Sequence, residues 1–479
     1  MSYNDKTMPK ITLKQVEEHN GSDKKSSWIV LYGKVYDITS FLNLHPGGNI
    51  IQYAAGISDA TCLFESYHGT SSIKRCQALL MKHGKYLGEM SIDVNSECKY
   101  TINTDVVDNT GITLDSSKFF YTLRNRVDTY LEKNYGNRHA FQWIYQIEAI
   151  LTLALYCIAI YYKSFKCSYF AAVCLGVIIA RMGFLMHSGN HCAISSSPYW
   201  NRFVGLFMDI IGSSHYTWSY EHQIAHHIMP NEYHRDNDCE IGDPLFRFHP
   251  LISDVEQTNH DNIKGKSSCF RIFLRRYQHI LVPTLMSIGF FKWTINDIEY
   301  LIKSKAGNIR LATKFIIIIV TLISKVLWLI IHVIIPYIYF GGKYTLITFI
   351  IFMVIGAYYL ENIFIVNHIQ EKLQIPMINT DNRRSLHWAI YQVYTTANWK
   401  SGSYLATFLS GGLNHQIEHH LFPSMNIYLY PKIAHIVQEE CSKFGLPYHN
   451  YNSFITAWID MFYYLKKLGN SNTKSTQLQ

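Results

Sequence analysis

Four long apolar runs set the terms on which this chain can fold: Trp143 to Tyr162, Ser168 to Met186, Thr313 to Phe340 and Tyr344 to Val366. Each is about 20 residues or longer, enough for a helix to cross a bilayer. Backbone facing lipid must satisfy its own hydrogen bonds, so helix is the form such runs take there. They come in two pairs with short internal turns, Lys163-Ser-Phe-Lys166 and Gly341-Gly-Lys343. Each pair reads as a hairpin that crosses and returns. Four crossings leave the N-terminus, the loop 187–312 and the tail 367–479 on one face. Two shorter apolar patches, Phe203 to Ile211 and Tyr404 to Leu409, cannot span and belong in the interface or the protein core.

The rest of the composition is consistent with lipid burial. Of the 479 residues, 48% are hydrophobic and only 16% charged, and residues 1–142 are the polar part. The N-terminus has no apolar core or cleavage site of a secretory signal, which predicts a first domain that stays in the cytosol. The net charge of +8 forms no stripe and accompanies no nucleic-acid motif, so nucleic acid is not expected as a partner. Many of the basic residues, Arg235, Arg247, Lys264, Lys266, Arg271, Arg275, Arg276, Lys303, Lys305 and Arg310, lie in the loop between the two hairpins, which places that loop on the cytosolic side. The ten cysteines include no Cys-x-x-Cys and read as reduced thiols rather than a disulfide framework or zinc site. Residues 91–117, rich in Asn, Asp, Thr and Ser, read as a linker, and the chain frays from about Gly469.

Ahead of the linker, the alternation in Ile29-Val-Leu-Tyr32 and Val35-Tyr-Asp-Ile38 predicts short strands. His45-Pro-Gly-Gly48 forces a turn that projects an imidazole from a loop, and His68 follows Asp59-Ala-Thr-Cys-Leu-Phe64. Two histidines so separated can clamp an iron from both faces. This segment, about residues 10–90, resembles the cytochrome b5 family, whose motif is matched at His45 to Gly48 and whose second axial ligand falls on His68. The resemblance implies a haem b cofactor held by His45 and His68. Ala55-Gly-Ile-Ser-Asp59 carries one residue more than the usual family pattern.

Twenty-three histidines are present, and the informative ones cluster: His187-Ser-Gly-Asn-His191, His222-Gln-Ile-Ala-His226-His227 and Gln416-Ile-Glu-His419-His420. A spacing of four on an α-helix stacks two imidazoles on one face, where both can reach one metal. Adjacent residues diverge by about 100°, so His226 and His227, or His419 and His420, can serve two metals side by side. The first cluster begins where the second apolar run ends, the second lies in the cytosolic loop, and the third follows the fourth run. All three converge on one face. Imidazole-rich, thiolate-free ligation suits iron doing oxygen chemistry without by itself excluding zinc, copper or manganese.

With these boxes, and with Asp236-Asn-Asp238, Gln278-His279, Asn367-His368 and the run Gly411 to Pro423, the chain resembles the membrane fatty acid desaturase and hydroxylase superfamily. It is most similar to the front-end desaturases, of delta-4, delta-5 or delta-6 type, which fuse a cytochrome b5 domain and begin the third box with glutamine. The resemblance covers nearly the whole chain. It implies that His187, His191, His222, His226, His227, His419 and His420 bind two non-haem iron ions, with Gln416 at the front of the third box and His368 as a further ligand. Ser188 replaces the acidic residue common in the first box, and His415 stands where an aromatic is usual, either a further ligand or a neighbour. His215, His234, His249, His279, His387 and His435 are taken as structural.

The implied architecture is an α-helical integral membrane protein, four transmembrane helices with a cytosolic helical metal-binding cap over residues 118–466, plus a small N-terminal α+β cytochrome b5 haem domain. The implied reaction sets a cis double bond between an existing one and the carboxyl end of a fatty acyl chain, using O2 and electrons from the fused haem. An unactivated methylene has no acidic proton, so a metal–oxygen oxidant must remove its hydrogens. Implied partners are acyl-CoA or a phospholipid-bound acyl group, membrane lipid and an NADH-cytochrome b5 reductase, at the endoplasmic reticulum with termini and site cytosolic. A sphingolipid long-chain-base desaturase of delta-8 type shares the fusion and the glutamine. A hydroxylase shares the boxes but not the glutamine, and a bare haem-bearing membrane anchor leaves the boxes unexplained.

Overall fold

The computed structural model describes residues 9–22, 25–91, 105–107, 113–232, 236, 238–239, 245–248, 269–307, 309–312, 314–373 and 387–471. Most of the linker, His234 and His249, basic Arg235, Lys264 and Lys266, and the end beyond Ser471 lie outside them. Inside the linker, Asp105–Val107 and Thr113–Asp115 pair as an antiparallel ribbon, which the polar composition did not predict.

The N-terminal unit is built on a four-stranded sheet in the order Lys10–Ile11, Lys85–Met90, Lys34–Asp37, Trp28–Leu31. Its first pair is parallel and the other two are antiparallel. The hairpin Trp28–Leu31 to Lys34–Asp37 closes through Tyr32 and Gly33, both at positive φ, the two-residue turn whose twist matches the strands. Helices Thr61–Tyr67 and Thr70–His83 follow. The unit is not held by the linker alone. Ile29, Leu31, Ile38 and Phe41 share one core with Tyr216, Tyr220, Ile224 and Leu311 of the second unit. Polar clasps frame that core: Asp128 accepts from the Thr70 N–H at 2.7 Å and pairs with Arg138, and Glu65 accepts from the Trp388 indole at 2.6 Å.

Among the described residues of the second unit three helical stretches are long and apolar enough to cross a membrane: Gln142–Phe165, Tyr169–Asn190 and Phe315–Ile365. Their lipid-side chemistry is plain. Ile147, Leu151, Leu155 and Ile158 stand exposed at helical spacing, as do Ile316, Val320, Ile323 and Leu327, an apolar surface that water does not tolerate at this extent. The first helix runs through Phe165, so the turn shrinks to Lys166–Ser168, and the second extends past Met186 to Asn190, carrying His187 in its last turn. The third stretch is not continuous. Gly341 has φ 75° and ψ 174°, and beyond it the chain folds back, with Trp328 against Phe349 and His332 against Phe352 at ring separations of 5.7 and 5.0 Å. Gly176 lets the returning segment close in: a Cβ there would sit 2.7 Å from Ile355. The short helix Tyr404–Ser410 exposes Leu405, Phe408 and Leu409.

Candidate active site: a haem crevice against a double histidine cluster

The haem side rests on backbone geometry close to each imidazole. The chain leaves the 3-10 turn Leu42–Leu44 at His45, and Pro46-Gly47-Gly48 then reverses it. A Cβ at Gly47 would lie 2.8 Å from the His45 ring, and Gly48 has φ +73° with Pro198 of the second unit packed against it, so neither position accepts a side chain. His45 donates from Nδ1 to the Gly48 carbonyl at 3.1 Å, and His68 from Nδ1 to the Phe64 carbonyl at 2.7 Å. Both bonds fix the tautomer that frees Nε2. The ring centroids are 6.2 Å apart and the planes cross at 83°. Metal–nitrogen bonds of about 2 Å from each side fit that separation. Burial keeps both rings neutral, His68 down to about 4. They line a cavity of about 370 Å³ with Phe41, Ile51, Leu63 and Leu79. Its far wall comes from the second unit, including Cys192, Pro198, Asn201 and Gln223.

Behind that wall lie the boxes. His187 and His191 end one apolar helix, His222 to His227 follow in the buried segment Ser219–His226, and His419 and His420 sit in the short helix Gln416–Leu421. All are buried, as is His368 just past Ile365. Their nitrogens form two groups. One ligand atom from each of His187, His191, His222, His227 and His419 lies within 4.8 Å of the others, and likewise for His226, His368 and His420. The adjacent pairs therefore divide between the groups, as expected of neighbours on a helix.

One expectation from spacing fails here. His222 faces the group of His227, five residues on, and not that of His226, four residues on. Ser219–His226 winds as a π-helix, with the His227 N–H bonded to the His222 carbonyl, and this looser winding brings the fifth residue over the first. His187 and His191, on a regular α-helix, keep the four-residue rule.

Four of the eight imidazoles are held closely from behind through Nδ1. His222 Nδ1 lies 2.5 Å from Asp238, His226 Nδ1 2.9 Å from Asp236, His420 Nδ1 donates to Gln392 Oε1 at 2.6 Å, and His191 Nδ1 pairs with the Tyr67 hydroxyl at 2.7 Å. Burial, then neighbouring rings, push His191, His222, His227, His419 and His420 well below the usual histidine range. His226 is raised against its burial by Asp236, whose carboxyl it holds down at about 2 although burial opposes this. The Nε2 atoms of His191, His419 and His420 are buried with no hydrogen-bond partner in the protein. Buried imidazoles converging on two points, three of them with orphaned Nε2 atoms, are a donor set for two metal ions.

The Gln416 amide lies 2.9 Å from His368 Nε2 and accepts from Asn367. Ser188 bonds the Tyr145 hydroxyl at 2.7 Å. His415 is tied up by the Gly402 N–H at 2.9 Å and by Asn414, and belongs to neither group. His215 pairs with Asp209, His279 packs on Phe462, His387 caps Trp388–Thr395 and His435 meets Tyr130. Asp236, Asp238, Gln392 and Tyr67 carry supporting roles that no box displays. Only the Asp-x-Asp spacing just beyond the second box was a signal.

Two facing imidazoles in a crevice, backed by a double cluster of buried imidazoles beside apolar helices long enough to cross a membrane, define a membrane metalloprotein with two adjoining metal-binding sites. Residues 167–452 match the family Fatty acid desaturase, and residues 12–91 match the Cytochrome b5-like Heme/Steroid binding domain. Delta(5) fatty acid desaturase A of Dictyostelium discoideum is 31% identical over 98% of this chain and 97% of its own length. Acyl-lipid (8-3)-desaturase B of the same organism is 29% identical, covering 96% and 94%, and fatty acid desaturase 3 of Bos taurus 28%, covering 97% and 94%. The chain belongs to the fatty acid desaturase family, with a fused cytochrome b5 domain; it is an O2-dependent oxidoreductase of acyl lipids whose cofactors are haem and a di-iron pair.

Proposed function

We propose that the chain is a front-end desaturase of polyunsaturated acyl chains, acting in the endoplasmic reticulum membrane with termini and site cytosolic. The observation that carries the reading is the division of eight histidines into two buried groups directly behind the wall of the haem crevice. In this reading His45 and His68 hold the haem, His187, His191, His222, His227 and His419 hold one iron, and His226, His368 and His420 the other. The iron pair supplies the oxidising power that carbon–hydrogen bonds of a methylene demand. The protein's part is to bury eight imidazoles away from water and to orient four of them, His191, His222, His226 and His420, through their Nδ1 bonds.

Residues 10–90 form the haem domain and 118–466 the desaturase, with four crossings because the third apolar stretch folds back at Gly341. The substrate is an acyl group on coenzyme A or a phospholipid, and electrons arrive from an NADH-cytochrome b5 reductase. The names of the relatives, acyl-lipid (8-3) and Delta(5) desaturases, support attack on the carboxyl side and disfavour a long-chain base as substrate. Expression in a yeast lacking polyunsaturates, with fed fatty acids, tests this. New double bonds on the carboxyl side of existing ones are expected. Bonds on the methyl side, or in long-chain bases alone, would sink the reading.

A further inference from the structure

One side chain of the haem unit reaches from the crevice lining to a metal-binding histidine. Tyr67 precedes His68 in sequence, lines the crevice, and places its hydroxyl 2.7 Å from His191 Nδ1. The Ser424 hydroxyl bonds the Tyr67 carbonyl, fixing the residue to the desaturase unit. A peptide link, an aromatic ring and one hydrogen bond therefore run unbroken from His68 to His191. Bonded paths carry tunnelling electrons better than a gap of equal length, so this arrangement has an electrical meaning as well as a structural one.

We propose that Tyr67 is the conduit by which electrons pass from the haem to the di-iron centre, entering beside His68 and leaving through the hydrogen bond to His191. The proposal rests on the ligand assignments given under the proposed function. Each passage oxidises ferrous haem to ferric and reduces the iron pair by one electron. Two passages, with two protons and the two hydrogens taken from the acyl chain, reduce one O2 to two waters.

The test uses the full-length enzyme in nanodiscs, reduced without oxygen and then mixed with O2 and an acyl substrate that the enzyme desaturates, while haem reoxidation is followed by absorbance. Tyr67→Phe deletes only the hydroxyl. It should slow reoxidation several-fold, with the haem spectrum, haem potential and iron content of the unmutated enzyme, and Tyr67→Leu should slow it further. Trp388→Phe, which removes the indole bond to Glu65 at the same interface, should leave the rate close to normal. An unaltered rate in Tyr67→Phe, or equal slowing in Trp388→Phe, overturns the proposal, the latter because docking would then be the cause. Iron lost in step with the rate reduces Tyr67 to an anchor for His191 and overturns it too. An unmutated enzyme without a six-coordinate haem or without iron would instead refute the ligand assignments themselves.

Discussion

The haem crevice and the double histidine cluster both present buried imidazoles anchored through Nδ1, both of them in the crevice and four in the cluster, yet they are assembled in opposite ways. In the crevice the Nδ1 acceptors are carbonyls within the same turn, Gly48 three residues after His45 and Phe64 four before His68. In the cluster they are side chains from distant segments: Asp236 and Asp238 beyond the second box, Gln392 on the helix Trp388–Thr395, and Tyr67 from the haem unit itself. A site anchored by its own backbone can be specified by a short motif. One anchored from afar depends on the whole fold.

The strongest test of that contrast removes one proposed ligand from each side. His226→Ala should abolish turnover and lower bound iron while the haem spectrum stays intact. His68→Ala should lose the six-coordinate haem and keep its iron. Loss of both cofactors in either variant would mean that the sites are not separately built.

Next in size is Gln416. The amide reaches His368 and Asn367 at once, so Gln416→Ala and Gln416→Asn should lose most activity, with Gln416→His keeping some because imidazole can ligate directly. Turnover assays of the three variants decide it, and full activity in Gln416→Ala would make the residue incidental.

Smaller effects should separate local from remote support. Asp236→Asn should weaken iron retention against a chelator by about 10–100-fold with haem unaffected. Gly47→Ala, which drives a methyl into the His45 ring, should weaken haem and spare iron. The smallest effect concerns His139, on the crevice wall, which burial and Arg138 hold down to about 4. An imidazole neutral in the fold but protonated near 6.5 when unfolded costs stability as pH falls from about 6.5 toward 4. Thermal melts of His139→Asn should show a shallower acid loss over that window, with no difference above it.

The same contrast explains what the sequence could reveal. His45-Pro-Gly-Gly48 and His68 were legible because the constraint is local, and so were the apolar runs, whose length alone implies helices able to cross a bilayer. The boxes were legible as clusters, and the division of adjacent histidines followed from helical geometry. Which partner His222 takes was not, because residue spacing does not encode the π-winding over Ser219–His226. Tyr67 was invisible for a related reason: its meaning lies in His191, 124 residues away. The docking of the haem unit, through a core that mixes Ile29 and Phe41 with Tyr216 and Tyr220, is likewise a property of two surfaces meeting.

The shared wall of the haem crevice bears on how such fusions can be exchanged. Pro198 closes on Gly48, and Cys192, Asn201 and Gln223 complete the far side. The donor is therefore not a portable cartridge. A b5 module transplanted from another fusion would arrive shaped for a different neighbour, and a chimaera that moves residues 1–91 together with the stretch around Cys192 to Asn201 should outperform one that moves the module alone.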